Sequence, residues 1–184
     1  CVGAIDDKIW TLSMNTDSCN TPMLLVHGFG AAIGFWILNF DSFAATRPVY
    51  AIDLLGFGKS SRPKFSKDAK EIEMQYIQSI EKWRKHMRIE KFIILGHSFG
   101  GYLSTAYAMN FPERIEHLIL ADPWGFIPLP EDFKKYNLYK KSLMFLTSKI
   151  SPLFIVRAAG PLGPHLLRKG RPDIVEKYEN VVEK

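Results

Sequence analysis

Phe92-Ile93-Ile94-Leu95-Gly96-His97-Ser98-Phe99-Gly100-Gly101 is the stretch whose reading decides the fold. An apolar run leads into Gly-x-Ser-x-Gly, and a helix-compatible run over 102–109 follows. Strand, one tight turn and helix together form the context of a nucleophile elbow. The apex residue, Ser98, is then held in a strained backbone conformation with its hydroxyl pushed out above the sheet. Gly96 and Gly100 are required because a side chain at either position would collide with the neighbouring strand or helix. The five-residue pattern alone is a modest signal; framed by a strand and a helix it is a strong one.

Working outward, Pro22-Met23-Leu24-Leu25-Val26 reads as a strand buried on both faces, ending in His27-Gly28-Phe29-Gly30. A second such run, 48–54, ends at Asp53 and a loop over 56–63. Residues 8–13 have strand composition, 15–20 form a polar turn, and Trp36, Ile37, Leu38, Phe40 and Phe43 suit a short helix packed on the sheet. Ile72, Tyr76, Ile80, Trp83 and Met87 fall on one helical stripe within 68–87. The helix after the elbow is expected to stop near Asn110-Phe111-Pro112, and 115–121 reads as a fourth buried strand ending at Asp122. Strands alternating with helices predict an α/β fold with a mostly parallel sheet covered on both faces. Beyond Phe126 the texture changes: short helix-like segments are broken by Pro152, Pro161, Pro164 and Pro172. The expected organisation is a core over 1–126 and a helical cap, in part, over 127–184.

At 184 residues the chain is long enough for one domain with a substantial core. No apolar run has the length to cross a membrane, and nothing at the start resembles a signal peptide. The chain begins at Cys1 and ends inside a helix-like pattern, so a piece of a longer protein is expected. Only two cysteines occur, outside any metal spacing, which makes a reducing intracellular setting the default. No cofactor or metal is called for. The net charge of +5 is unevenly placed. Between Phe133 and Pro172 there is no carboxylate, but there are nine cations: Lys134, Lys135, Lys140, Lys141, Lys149, Arg157, Arg168, Lys169 and Arg171. With Leu143, Met144, Phe145 and Leu146 interleaved, this region suits anionic headgroups; the alternative is a basic cap whose apolar residues pack on the sheet. Nucleic-acid binding has no supporting motif.

Ligands bind beyond the carboxyl ends of strands in open parallel sheets. Here those ends carry His27, Asp53, Ser98 and Asp122, converging on one crevice. A serine needs a general base, an acid to orient that base, and donors for the developing oxyanion. The N–H of Phe99, just after Ser98, is one candidate donor; the N–H of Phe29 is the other. His27, Gly28 and Gly30 support the loop carrying Phe29, and Gly96, His97, Gly100 and Gly101 build the elbow. The base is harder to find among five histidines. His27 belongs to the oxyanion loop, and His97 diverges from Ser98 on the sharp turn. His86 lies late in a helix where a cation suits the dipole, and His117 sits at the wrong end of its strand. His165, in the cap, is the remaining candidate. Asp122 is a candidate acid, with capping of its loop as the alternative. A His-x-x-x-x-Asp spacing links His117 to Asp122, but on a strand these lie about 16 Å apart and face opposite ways, so it reads as coincidence.

Taken in order, several motifs resemble the α/β-hydrolase superfamily, in particular its abhydrolase-domain lipid-metabolism branch. They are His27-Gly28-Phe29-Gly30, Trp36-Ile37-Leu38-Asn39, the 53–63 run Asp-Leu-Leu-Gly-Phe-Gly-Lys-Ser-Ser-Arg-Pro, the elbow, Asp122-Pro123-Trp124-Gly125-Phe126 and Arg157-Ala158-Ala159-Gly160-Pro161. The branch holds an N-acylphosphatidylethanolamine lysophospholipase and a lipid-droplet co-activator of lipolysis. The co-activator type carries Asn where this chain has Ser98, so the resemblance favours the hydrolase-competent type. It implies a serine hydrolase acting on a fatty-acyl ester of a phospholipid or lysophospholipid. It also implies a cytoplasmic enzyme in peripheral contact with membranes or lipid droplets. A non-catalytic co-activator and a lysophosphatidic acid acyltransferase are the alternatives. In the α/β-hydrolase order the acid and histidine follow the nucleophile, so both are expected beyond Lys184.

Overall fold

Leu24, Leu25 and Val26 are fully buried, as a strand with no polar residue to turn toward water requires. A computed structural model describes residues 7–126 and 158–170. The strands are β1 (Thr11–Met14), β2 (Met23–Val26), β3 (Val49–Ile52), β4 (Phe92–His97) and β5 (Ile115–Ala121). The helices are α1 (Phe40–Ala44), α2 (Ala69–His86), α3 (Phe99–Asn110) and α4 (Gly163–Gly170), with 3-10 turns at Ile33–Trp36, Pro112–Arg114 and Gly160–Leu162. The chain divides into two compact units, Cys1–Ile127 and Pro128–Lys184.

The five strands form one sheet in the order β1-β3-β2-β4-β5. β1 runs antiparallel to β3, and every other neighbouring pair is parallel. Val26 stands opposite both Ile52 and Gly96, and His97 opposite Ala121. The strand ends at His27, Asp53, Ser98 and Asp122 therefore lie along one edge of the sheet.

Each strand sends alternate side chains to opposite faces. On one face Met23, Leu25, Val49, Ala51, Ile93 and Leu95 form a core cluster with Trp36 and Phe40. On the other, Leu24, Ile52 and Ile94 are buried with Ile77 and Ile80 of α2 and Leu103 and Tyr107 of α3. Each such side chain contributes about 1.5–3 kcal/mol on leaving water. α2 starts where the Asp68 carboxylate accepts the Lys70 and Glu71 N–H groups, at 3.0 and 3.1 Å. Such a cap stabilises a helix by about 1 kcal/mol. The expected stripe holds, with Tyr76, Ile80 and Trp83 buried.

β5 departs from expectation. It is not a buried strand: Glu116 and His117 are exposed, and Ile119 is 40% exposed. Among the described residues β5 pairs with β4 alone, and α3 packs on it from one side. It is a half-covered edge, so the covering of both faces expected for the whole sheet does not reach it. In the second unit, only 158–170 are described. The nine-cation stretch lies outside the described residues except for Arg168 and Lys169, which are exposed on α4.

Candidate active site

Ser98 occupies the junction of β4 and α3 with φ 53° and ψ −118°, outside the regions that L-residues favour. A strained non-glycine backbone persists only when its surroundings over-determine it. Here both backbone groups are tied down: Ser98 N–H donates to Ala121 O at 3.1 Å, and Ser98 O accepts from Tyr102 N–H at 3.1 Å and Trp124 N–H at 2.9 Å. The two glycines permit the turn. A Cβ on Gly96 would meet the Gly100 carbonyl oxygen and lie 2.5 Å from Ser104 Oγ. One on Gly100 would run into Val26 O and lie 2.5 Å from His27 O. The helix thus starts directly against the end of β2.

With the backbone saturated, the side chain is what remains. Ser98 is half-buried, and its hydroxyl has no hydrogen-bond partner among the described residues. Phe99 N–H is the first donor of α3 and has no intrahelical acceptor. Phe29 N–H donates to no backbone carbonyl among the described residues. Its loop runs against the elbow: a Cβ on Gly28 would stand 3.1 Å from Ser98 Cβ and 3.0 Å from His97 Nδ1.

His27 fixes that loop. It is fully buried; Leu54 N–H donates to its Nε2 at 3.1 Å, so the ring proton sits on Nδ1, which donates to Gly28 O at 2.8 Å. Burial holds its pKa below the ordinary histidine value, against smaller raising effects from the Gly28 bond and Asp53. Both nitrogens are engaged, which removes His27 as a base. His97 stacks on Phe35, centroids 4.4 Å apart, and burial lowers its pKa while the Asp122 charge raises it. Its Nδ1 is buried without a partner among the described residues, and it makes no bond to Ser98. Asp122 has a left-handed backbone (φ 46°) beside the elbow, and its charge acts on the His97 imidazole. His86 ends α2, His117 is exposed on β5, and His165 is exposed on α4 of the other unit. No described histidine is hydrogen-bonded to Ser98.

The sequence places Asp53 at a strand end facing the crevice but assigns it no role; the structure makes it a positioning residue. Asp53 is buried, and its carboxylate accepts Ile33 N–H at 2.7 Å and Lys59 N–H at 2.8 Å. Its carbonyl accepts Ser60 Oγ at 2.5 Å. One side chain therefore ties the segment that follows the Phe29 loop to the loop after β3. The available signal was its place at a strand end just before Gly56-Phe57-Gly58-Lys59-Ser60. Around the elbow mouth lie aromatic rings. Phe99 packs on Tyr76, Tyr102 and Trp124 at 5.6, 6.4 and 6.0 Å, and Phe29 packs on Phe57 at 5.5 Å. Phe29, Trp124 and Phe126 are more than half exposed, at 54%, 60% and 52%. An apolar rim of this kind suits a substrate with hydrocarbon character.

Known proteins share this architecture. The chain is 44% identical over 181 residues to mouse 1-acylglycerol-3-phosphate O-acyltransferase ABHD5, covering 96% of this chain and 52% of that protein. It is likewise 44% identical over 182 residues to mouse (lyso)-N-acylphosphatidylethanolamine lipase, covering 96% and 53%. The chain spans about half the length of the curated relatives it matches. Among solved structures, a bacterial membrane phospholipase A superposes with a TM-score of 0.62 at 28% identity, covering 71% of this chain and 43% of that one. The family model of the alpha/beta hydrolase fold matches residues 21–148, so this chain belongs to the α/β-hydrolase family.

Proposed function

We propose that the protein is a serine hydrolase that cleaves a fatty-acyl ester of a lysophospholipid or N-acylphospholipid. The observation that carries this reading is Ser98 itself: a serine at a strained strand-to-helix apex whose hydroxyl has no partner among the described residues. Ser98 Oγ attacks the acyl carbonyl carbon and gives its proton to a general base. The carbonyl oxygen becomes an oxyanion, held by the N–H groups of Phe29 and Phe99. Each such donor contributes about 2.7–4 kcal/mol to the barrier reduction. The intermediate collapses, the alcohol of the lipid leaves with the proton from the base, and water then releases the fatty acid from Ser98. The base and its acid are proposed to come from the part of the relatives' length that this chain does not span. The basic segment of 134–171 is proposed to hold the protein peripherally on a membrane or lipid-droplet surface.

A second acceptor has a specific basis, the acyltransferase activity for which the ABHD5 relative is named. The same acyl-Ser98 could be released by the hydroxyl of a lysophosphatidate in place of water. The test is to incubate full-length protein with radiolabelled N-acylphosphatidylethanolamine or lysophospholipid, with and without lysophosphatidate. Free fatty acid released by wild type, and reduced by roughly 10⁴-fold or more in Ser98→Ala, is the expected result. Turnover that survives in Ser98→Ala overturns the assignment.

A further inference from the structure

We infer that a second binding site, for an anionic single-chain amphiphile, lies on the first unit apart from the elbow. A groove of about 930 Å³ runs between residues 7–10, the α2 face carrying Gln75, Ser79, Lys82, Trp83 and His86, and the 55–65 segment. None of Ser98, Phe29 and Phe99 lines it. The wall between the two sites is Tyr76. Its ring stacks on Phe65 of the groove at 4.9 Å and meets Phe99 of the elbow edge-on at 5.6 Å.

The chemistry of the lining selects the ligand class. Leu55 and Trp83 are buried at the floor, with Phe65 half-buried beside them. The floor's polar atoms face the protein: Trp83 Nε1–H donates to Thr11 Oγ1 at 3.0 Å, and Ser79 Oγ–H to Tyr76 O at 2.7 Å. The floor therefore offers carbon surface. Among the described residues the rim is cationic, with exposed Lys8 and Lys59 against one carboxylate, Asp7. Lys59 Nζ stands 4.6 Å over the Trp10 ring, which holds that charge at the mouth. A free inorganic anion would satisfy the rim and leave the floor empty; a neutral lipid would do the reverse. A carboxylate or phosphate monoester on one hydrocarbon chain satisfies both. The volume falls within the usual span of small-molecule sites, about 300–1,000 Å³.

Contact quenching by dibromostearate, below its micellar concentration, reads the site directly because Trp10 and Trp83 line it and Trp124 does not. The experiment is run on the full chain, as wild type and as Ser98→Ala, so that its outcome is independent of the reaction proposed for Ser98. Saturable quenching is expected in both, with most of it lost in the double variant Trp10→Phe/Trp83→Phe and retained in Trp124→Phe. Lys8→Glu/Lys59→Glu should weaken binding roughly tenfold or more, and Lys70→Glu, at the far end of α2, should not. Oleate should displace the probe, and oleyl alcohol should do so at least roughly tenfold less well. Quenching that survives in Trp10→Phe/Trp83→Phe but vanishes in Trp124→Phe would move the lipid to the elbow and overturn the site. Equal displacement by oleyl alcohol, displacement by inorganic phosphate at the same concentration as oleate, or no saturable quenching at all would overturn it as well.

Discussion

The two ends of α3 are built on opposite principles. At its N-terminal end, Ser98 has a strained backbone, and among the described residues neither its hydroxyl nor the neighbouring N–H has a partner. In its C-terminal half, Tyr107 is fully buried and donates to Glu81 Oε2 at 2.7 Å. Glu81 in turn receives a two-pronged contact from Arg84 Nη2 and Nε, at 2.8 and 2.9 Å. Arg84 Nη1 also donates to Ile89 O. Every strong polar group at that end is answered by another. Buried charge is costly unless paired and bonded, whereas a site meant for a ligand must keep its donors free. The difference separates the two jobs of one helix: the closed end locks α3 to α2, and the open end is held ready for a substrate.

Substitutions can break this contrast, beginning with the largest effect. In Gly100→Ala the new methyl falls on the β2 backbone, with no flexible side chain to yield. A loss of at least about 4 kcal/mol, or failure to fold cooperatively, is expected in urea denaturation. At the closed end, Glu81→Gln leaves Arg84 buried beside a neutral partner and should cost about 3–5 kcal/mol. Tyr107→Phe removes one bond to a charged acceptor and should cost about 1.5–3 kcal/mol.

The same end predicts a pH dependence. The hydrogen bond from Arg84 is the main cause that lowers the Glu81 pKa from 4.5 to about 2, with burial opposing and Tyr107 assisting. A carboxylate whose folded pKa is depressed adds stability that is full above its unfolded value and disappears as pH falls through the folded one. Wild type should therefore lose stability between about pH 4.5 and 2, and Glu81→Gln should lose measurably less over that window. Equal acid sensitivity in both proteins would show that the closed end is not held by this carboxylate.

The open end should respond in the opposite sense. Ser98→Ala is expected to change unfolding free energy by no more than about 0.5 kcal/mol, because its hydroxyl bonds none of the described residues. Phe29→Ala should change turnover by less than roughly tenfold, since the proposed donor is the backbone N–H and not the ring. A far larger loss would mean that the ring itself positions the acyl chain.

How much of this could be read beforehand follows from how local each signal is. The elbow was legible because strand, glycines, serine and helix sit within one short stretch, and α2 because its stripe repeats along a single helix. Asp53 was not, because its carboxylate meets Ile33 N–H from 20 residues away. Glu81 and Arg84 look like surface charges of an amphipathic helix, and only Tyr107, 26 residues on, turns them inward. β5 has the composition of a buried strand, yet burial depends on what covers it, and that is not written in its own residues.

The central claim is that Ser98 is the nucleophile. Treating the full-length protein with a fluorophosphonate and mapping the adduct by mass spectrometry tests it most directly. The account predicts one covalent adduct, on Ser98, absent from Ser98→Ala. An adduct on another residue, or labelling of Ser98→Ala equal to wild type, would contradict it.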